Sequence, residues 1–388
     1  MAGAAGPRGA HRADQKVTMR VVVTGQVGVD KTPFLSRVVE IAAEQGHDLT
    51  LCNVGEMMYA EAPDVAPGRI LDLPLSRLTD LRRSVFKDIL ATCEKRANVL
   101  INTHATFRWR HGLFYGFDYD HMKALNADLY IVLLDNIDRV HRRLIDDGHT
   151  DHTLKDLMVW REEETLATEL VAQIVRGHGC FYIFARGFDD STAEAMVRLL
   201  FHPQQKKAYL SFPMTHIVDP SDLLAEIEQF RRHLKGYFIC FDPADLEEKY
   251  LTGIALAAAA DGQRSVEIGR PGERISVDVA KLVDIIPDID GQIYARDFKL
   301  IDQCDMIISL IPQMADGRPG LSSGVERELQ HAHEAAKDVF VIWKPKVDPS
   351  PFITGTATKV FDSVESAIRY FHDGDYVVSP PPGSLFDN

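Results

Sequence analysis

Short, continuous apolar runs alternate with longer helix-compatible segments along most of the chain. In the first half the runs occupy residues 20–24, 49–53, 99–102, 129–134 and 181–184. Continuous apolarity, rather than alternation at every second residue, marks strands buried on both faces, the pattern of a parallel sheet covered by helices. The pattern restarts at 208–211, 237–241, 306–311 and 339–343, with intervals again long enough for crossover helices. The reading is α/β, with two doubly wound parallel-sheet domains in succession.

A chain of 388 residues exceeds what one core usually organises, which agrees with that division. Between the two patterns lies His202-Pro203-Gln204-Gln205-Lys206-Lys207, where proline ends a helix and polar residues make a connection. The predicted domains are therefore 19–201 and 208–375, joined by a linker at 202–207. Residues 1–18, rich in Ala, Gly and Arg without the apolar stretch of a signal peptide, read as a disordered tail. Pro380-Pro381-Pro382-Gly383 makes 376–388 a second tail.

Charge narrows the partners. A formal net charge of -14, with no Lys/Arg block to offset it, repels a phosphate backbone, so nucleic acid is an unsuitable partner. No apolar run approaches the roughly 20 residues of a membrane span. Cys52, Cys93, Cys180, Cys240 and Cys304 are scattered without metal-ligand spacing, and read as reduced core residues of a cytoplasmic protein. The remaining ligand class is small molecules held by a few placed donors; a homo-oligomer is compatible with all of this.

The first candidate chemistry follows the first apolar run, in Gly25-Gln26-Val27-Gly28-Val29-Asp30-Lys31-Thr32. Gly25, Lys31 and Thr32 keep the spacing G-x-x-x-x-G-K-[ST], with Asp30 in place of the last glycine. Such a loop binds phosphate because backbone N–H groups close around it at a helix N-terminus, Lys adds a positive charge, and Thr can hold Mg²⁺. Gly25, Gly28, Lys31 and Thr32 are the candidate nucleotide-binding residues, and Thr32 the candidate metal ligand. Asp30 puts negative charge beside that nest.

Over residues 19–200 the chain resembles archaeal-type adenylate kinases, on the P-loop, Asn53-Val54-Gly55-Glu56-Met57-Met58, Leu100-Ile101-Asn102-Thr103-His104-Ala105-Thr106 and Arg139-Val140-His141-Arg142-Arg143-Leu144. The resemblance implies an adenylate-kinase-like fold, with ATP and Mg²⁺ on the P-loop and a nucleoside monophosphate in the adjacent cleft. Two departures stand out: Asn102 replaces the Asp usual before Thr-His, and the lid 146–152 lacks the arginines that neutralise a transferring phosphoryl group. His104, Arg108 and Arg110 either face the second phosphate or are solvated loop residues.

In the second half, Ala208-Tyr209-Leu210-Ser211-Phe212-Pro213 is a strand ending in a small-residue turn, the kind of sheet edge where ligand crevices form. Then come Tyr294-Ala295-Arg296-Asp297, Cys304-Asp305 and Ser322-Ser323-Gly324-Val325-Glu326-Arg327-Glu328-Leu329. Together these segments resemble the nucleoside 2-deoxyribosyltransferase superfamily over 207–345. That resemblance implies a flavodoxin-like fold with Glu328 as carboxylate nucleophile and Asp297 as the acid toward the departing base, without a cofactor. Tyr209, Ser211, Asp305, Ser323 and Gly324 are the candidate substrate-binding residues. Asp305 also reads as a structural cap, Ser322 and Ser323 as ordinary N-cap residues, and Glu328 as part of an exposed charged helical face.

The leading expectation is an enzyme that cleaves or exchanges the N-glycosidic bond of a nucleoside or nucleotide in the C-terminal domain, with nucleotide bound by the P-loop domain. The alternatives are a nucleoside monophosphate kinase and a non-catalytic nucleotide-responsive regulator.

Overall fold

A computed structural model describes residues 18–110, 112–214, 221–270 and 272–377. The expected N-terminal tail lies outside these residues except for Thr18, and Pro380 to Gly383 lie outside them entirely. The N-terminal half contains β1 (Met19–Thr24), β2 (Thr50–Asn53), β3 (Asn98–Asn102), β4 (Thr106–Trp109), β5 (Gly112–Tyr115), β6 (Leu129–Leu134) and β7 (Phe181–Ala185). The C-terminal half contains β8 (Lys207–Ser211), β9 (Ile239–Phe241), β10 (Ser265–Ile268), β11 (Ile275–Asp278), β12 (Met306–Ile311), β13 (Asp338–Trp343) and β14 (Lys359–Phe361).

Two five-stranded parallel sheets result, ordered β2-β3-β1-β6-β7 and β9-β8-β12-β13-β14, with crossover helices between successive strands. Strands β6 and β12 have the bounds that continuous apolarity predicts, because both are central and buried on both faces. The expected strand at 237–241 begins only at Ile239, since Tyr237 completes the helix Ser221–Tyr237. Two antiparallel hairpins, β4-β5 and β10-β11, were not anticipated; their four-residue strands are too short for a clear period. Tyr376, expected in the tail, instead donates its hydroxyl to Asp338 at 3.2 Å and packs edge-on to Phe340.

The helix Ser191–Phe201 ends before Pro203 and β8 begins at Lys207, so the chain passes quickly from one sheet to the other. The halves do not keep separate cores. One cluster runs through both, joining Ile183, Phe184 and Leu200 to Tyr209, Phe241 and Ile301. Gln303 caps the exposed edge of β7: its amide accepts from Ile183 N and donates to Ile183 O, both at 2.9 Å, where an open strand would otherwise solicit pairing.

A buried ion pair crosses the same boundary. Glu248 takes Arg161 in a bidentate grip at 2.7 and 3.0 Å and accepts Ile137 N–H at 2.8 Å, satisfying a helix N-terminus in the other half. Among the described residues, no helix is long and apolar enough to cross a membrane. All five cysteines are buried and unbridged.

Candidate functional site

The P-loop closes at the C-terminal end of β1. Gly25 is required there: a Cβ on it would stand 2.6 Å from Leu133 O on the neighbouring strand. Asp30 adopts φ 60° and ψ 55°, the left-handed conformation that the missing glycine would take freely and that Asp tolerates better than most residues. Its carboxylate turns to Arg186, 3.2 Å away beyond the end of β7. The substitution therefore preserves the backbone of the loop and hands its charge to a partner.

Lys31 opens the helix Lys31–Glu44 and folds back, donating to Gly25 O at 2.7 Å with His104 3.3 Å away. Burial pushes the Lys31 ammonium down to about 8. Desolvation, then the charge of Lys31, keeps His104 neutral, well below the usual imidazole range. Asn102 donates to Thr32 Oγ1 at 3.2 Å and to Asn53 Oδ1 at 2.9 Å, placing the Asp replacement beside the candidate metal ligand.

Sequence reasoning missed Glu164. Fully buried on the helix Leu154–Val175, it accepts Gly25 N at 2.9 Å, Ala105 N at 2.8 Å and Thr106 N at 2.7 Å. One carboxylate thus joins the P-loop to the loop after β3, although Arg161-Glu162-Glu163-Glu164 reads as a solvated charged face. Arg143 braces the other side, donating to Gly28 O at 2.9 Å and to Asp135 at 2.7 Å. Arg108 is committed to Glu163 and Arg110 lies 3.5 Å from Asp72, so in this conformation neither presents a free charge to a phosphate. His149 and His152 pack against Trp109.

A cavity of about 1210 Å³ opens at the C-terminal ends of the second sheet's strands, with Asp297, Gly324 and Glu328 on its wall. Ser211 Oγ donates to Glu328 Oε2 at 2.6 Å and Tyr209 OH to Oε1 at 3.1 Å, so the expected exposed helical face is instead a carboxyl group held from behind by β8. Desolvation raises Glu328 to about 8 against the pull of the Ser211 hydrogen bond. Asp297, also raised chiefly by burial, adjoins Arg296, whose Nε stands 3.4 Å from its Oδ1.

Two candidates sit elsewhere. Asp305 accepts Lys207 N at 2.8 Å and pairs with Lys207 Nζ at 3.2 Å. It lies at the N-terminal edge of the sheet, a strand's length from the cavity, and fastens β8 to β12 instead of meeting a substrate. Ser322 is the N-cap of the helix Ser323–Glu334, accepting Val325 N at 3.2 Å; Ser323 is exposed and lies outside the cavity lining.

Comparison with known proteins bears on the N-terminal half. The family described as AAA domain matches residues 24–161. An adenylate kinase of Pyrococcus abyssi is 24% identical over 186 residues, covering 46% of this chain and 92% of that protein. An adenylate kinase of Methanoculleus marisnigri is 23% identical over 186 residues, covering 44% and 95%. A shikimate kinase structure from Bacteroides thetaiotaomicron aligns with a TM-score of 0.34 at 15% identity, over 48% of this chain and 98% of that one. The chain thus carries an N-terminal P-loop domain of the nucleoside-monophosphate-kinase-like kind.

Proposed function

We propose that the N-terminal domain binds ATP and transfers its terminal phosphoryl group to a nucleoside monophosphate. The observation that carries this is a P-loop whose glycine geometry survives at Asp30 while the Lys31 ammonium folds back onto the loop at Gly25 O. The relatives named adenylate kinase support it. The N–H groups of the helix Lys31–Glu44 are free of a side-chain cap and suit phosphate oxygens. Lys31 would supply the point charge, and Glu164 would hold the P-loop and the 103–106 loop at a fixed spacing.

Thr32, with the amides of Asn102 and Asn53 behind it, offers hard oxygen atoms that fit Mg²⁺ carried in on phosphates. When bound, that ion would neutralise charge on the phosphate oxygens. The test is Lys31→Ala, assayed by calorimetry with ATP and by chromatography of ATP with each nucleoside monophosphate. The variant should lose at least tenfold in ATP affinity and all diphosphate formation. Identical titrations for both proteins would discard the P-loop as the phosphate site.

A second reading concerns the C-terminal half, favoured by Glu328 held against Tyr209 and Ser211 in the wall of the large cavity. The strand order is that of flavodoxin-like sheets, which supports the deoxyribosyltransferase resemblance. In this reading a Glu328 oxygen bonds to the anomeric carbon as the carbon–nitrogen bond breaks, and the electron pair leaves with the base. Asp297, whose carboxyl burial raises above the usual aspartate range, gives that base its proton; water or a second base then displaces Glu328. Glu328→Gln should lower base release from a nucleoside and nucleotide panel by two or more orders of magnitude, with binding retained. Unchanged release in a folded variant would remove Glu328 as nucleophile.

A further inference from the structure

The cavity is not made by the C-terminal half alone. Asn136, Asp138, Arg139 and Phe188, from the ends of β6 and β7 in the P-loop domain, form one wall. At about 1210 Å³ it exceeds the roughly 300–1,000 Å³ usual for small-ligand pockets, leaving room beyond a nucleoside. Its wall carries buried polar residues from both halves. Behind that wall, Asn136 Oδ1, Asp138 Oδ1 and Thr252 Oγ1 have no hydrogen-bond partner among the described residues. Each of these three belongs to a residue at most 9% exposed, and each residue lines the cavity.

The wall farthest in character from Glu328 and Asp297 is cationic and aromatic. The Arg270 guanidinium, in the turn between β10 and β11, lies 3.4 Å above the centroid of the Phe188 ring. Arg139 stands 5.1 Å from the same ring but is committed to Asp135 and Gly187 O. Arg270 and Arg327 line the cavity without a carboxylate partner among the described residues, in a protein of net charge -14. Because Arg270 covers the Phe188 face, that face is not available for stacking a base. What the pair offers is a guanidinium seated on an aromatic ring, with no carboxylate partner among the described residues, a charge suited to a phosphate.

We propose that the cavity is a composite site for a phosphorylated nucleoside, with the phosphate held by Arg270 on the Phe188 platform of the P-loop domain. The inference builds on the second reading of the C-terminal half, adding the ligand class and the participation of both halves, but it concerns binding and not turnover. Full-length protein is irradiated with 8-azidoadenosine 5′-monophosphate, and separately with 8-azidoadenosine, and the labelled peptides are sequenced. Labelling by the monophosphate of peptides containing Phe188, Tyr250 or Arg270 is expected. Labels confined to P-loop peptides, or none, overturn the proposal.

Calorimetry on Arg270→Ala, an exposed position whose loss leaves both cores intact, completes the test. Affinity for adenosine 5′-monophosphate at the cross-linked site should fall tenfold or more while adenosine affinity changes less than twofold. Equal losses for both ligands, or none for the monophosphate, overturn the assignment of phosphate to Arg270. Retained monophosphate binding with no base release would instead sink only the glycosidic reading.

Discussion

The P-loop crevice and the large cavity handle buried polarity in opposite ways. Around the P-loop most polar groups are answered from within the fold: Glu164 takes three backbone N–H groups, Lys31 takes a carbonyl, and Asp135 takes Arg139 and Arg143. Around the cavity, the buried oxygens Asn136 Oδ1, Asp138 Oδ1 and Thr252 Oγ1 have no partner among the described residues. A prearranged anion nest is mostly backbone and can be finished before a ligand arrives. A wall made of side chains on several elements leaves such gaps more readily. The two are nevertheless mechanically joined, since Arg161 and Glu164 are one turn apart on a single helix, with Arg161 gripping Glu248 and Glu248 lying 3.9 Å from Arg296 at the cavity.

The largest expected effect comes from cutting that joint. Glu248→Ala leaves Arg161 buried without its anion and Ile137 N without an acceptor, a loss of about 3–5 kcal/mol. Urea unfolding followed by fluorescence should show the midpoint fall and, if the pair is what makes the halves act as one, a single transition split in two. Pairing Glu248→Ala with Arg161→Met should restore much of the loss. Burial alone would raise the Glu248 carboxyl, but Arg161 overrides it and holds it below the usual range. The stabilisation of this pair is therefore present above the ordinary glutamate pKa and is lost only as pH falls through the lower folded value. A Glu248→Ala midpoint within error of wild type would deny the joint any energetic weight.

A second contrast lies in pH. Lys31 and Glu328 are both moved to about 8, one from above and the other from below. Raising pH through 8 removes the positive charge of Lys31, so ATP affinity in the free protein should decline by up to tenfold per unit. The same rise creates the Glu328 carboxylate, so base release at low substrate should climb toward pH 8 for as long as Asp297 keeps the proton it gives the base, and fall once that proton is lost. Titrations and initial rates between pH 6 and 9.5 read both slopes. Parallel slopes would show that the two sites do not carry the roles given to Lys31 and Glu328.

What was legible in the sequence follows the same division. The P-loop is a local run of residues, so its loop and the Lys31 position could be read directly, and central strands such as β6 and β12 declare themselves by unbroken apolarity. Asp305 was misplaced because a residue just before a strand looks the same in sequence as one just after it, although the two edges of a parallel sheet have different chemistry. Glu164 and Glu248 were hidden for another reason: each sits in a charged stretch, and only the crossing of chain segments far apart in sequence makes it buried. The Arg270 and Phe188 pair, contributed by separate halves, had no local signal at all.

The smallest expected effect tests how far Asp30 departs from a working P-loop. Its left-handed backbone costs Asp less than most residues, and glycine would remove that cost. Glycine would also remove the Arg186 contact, but a pair with 43% of the Asp30 side chain exposed is worth at most about 1 kcal/mol. The two changes nearly cancel, so Asp30→Gly should alter stability by less than about 1 kcal/mol. Asp30→Ala keeps the backbone strain and loses the pair, so it should be the less stable of the two variants. Because Arg186 already draws the Asp30 charge aside, removing it should strengthen ATP binding only about two- to fivefold, far less than an unpaired carboxylate at the nest would imply. Calorimetry on Asp30→Gly, beside thermal unfolding of both variants, measures each part. A drop in ATP affinity for Asp30→Gly would mean that the Asp30 and Arg186 contact shapes the P-loop for its ligand instead of merely tolerating a lost glycine.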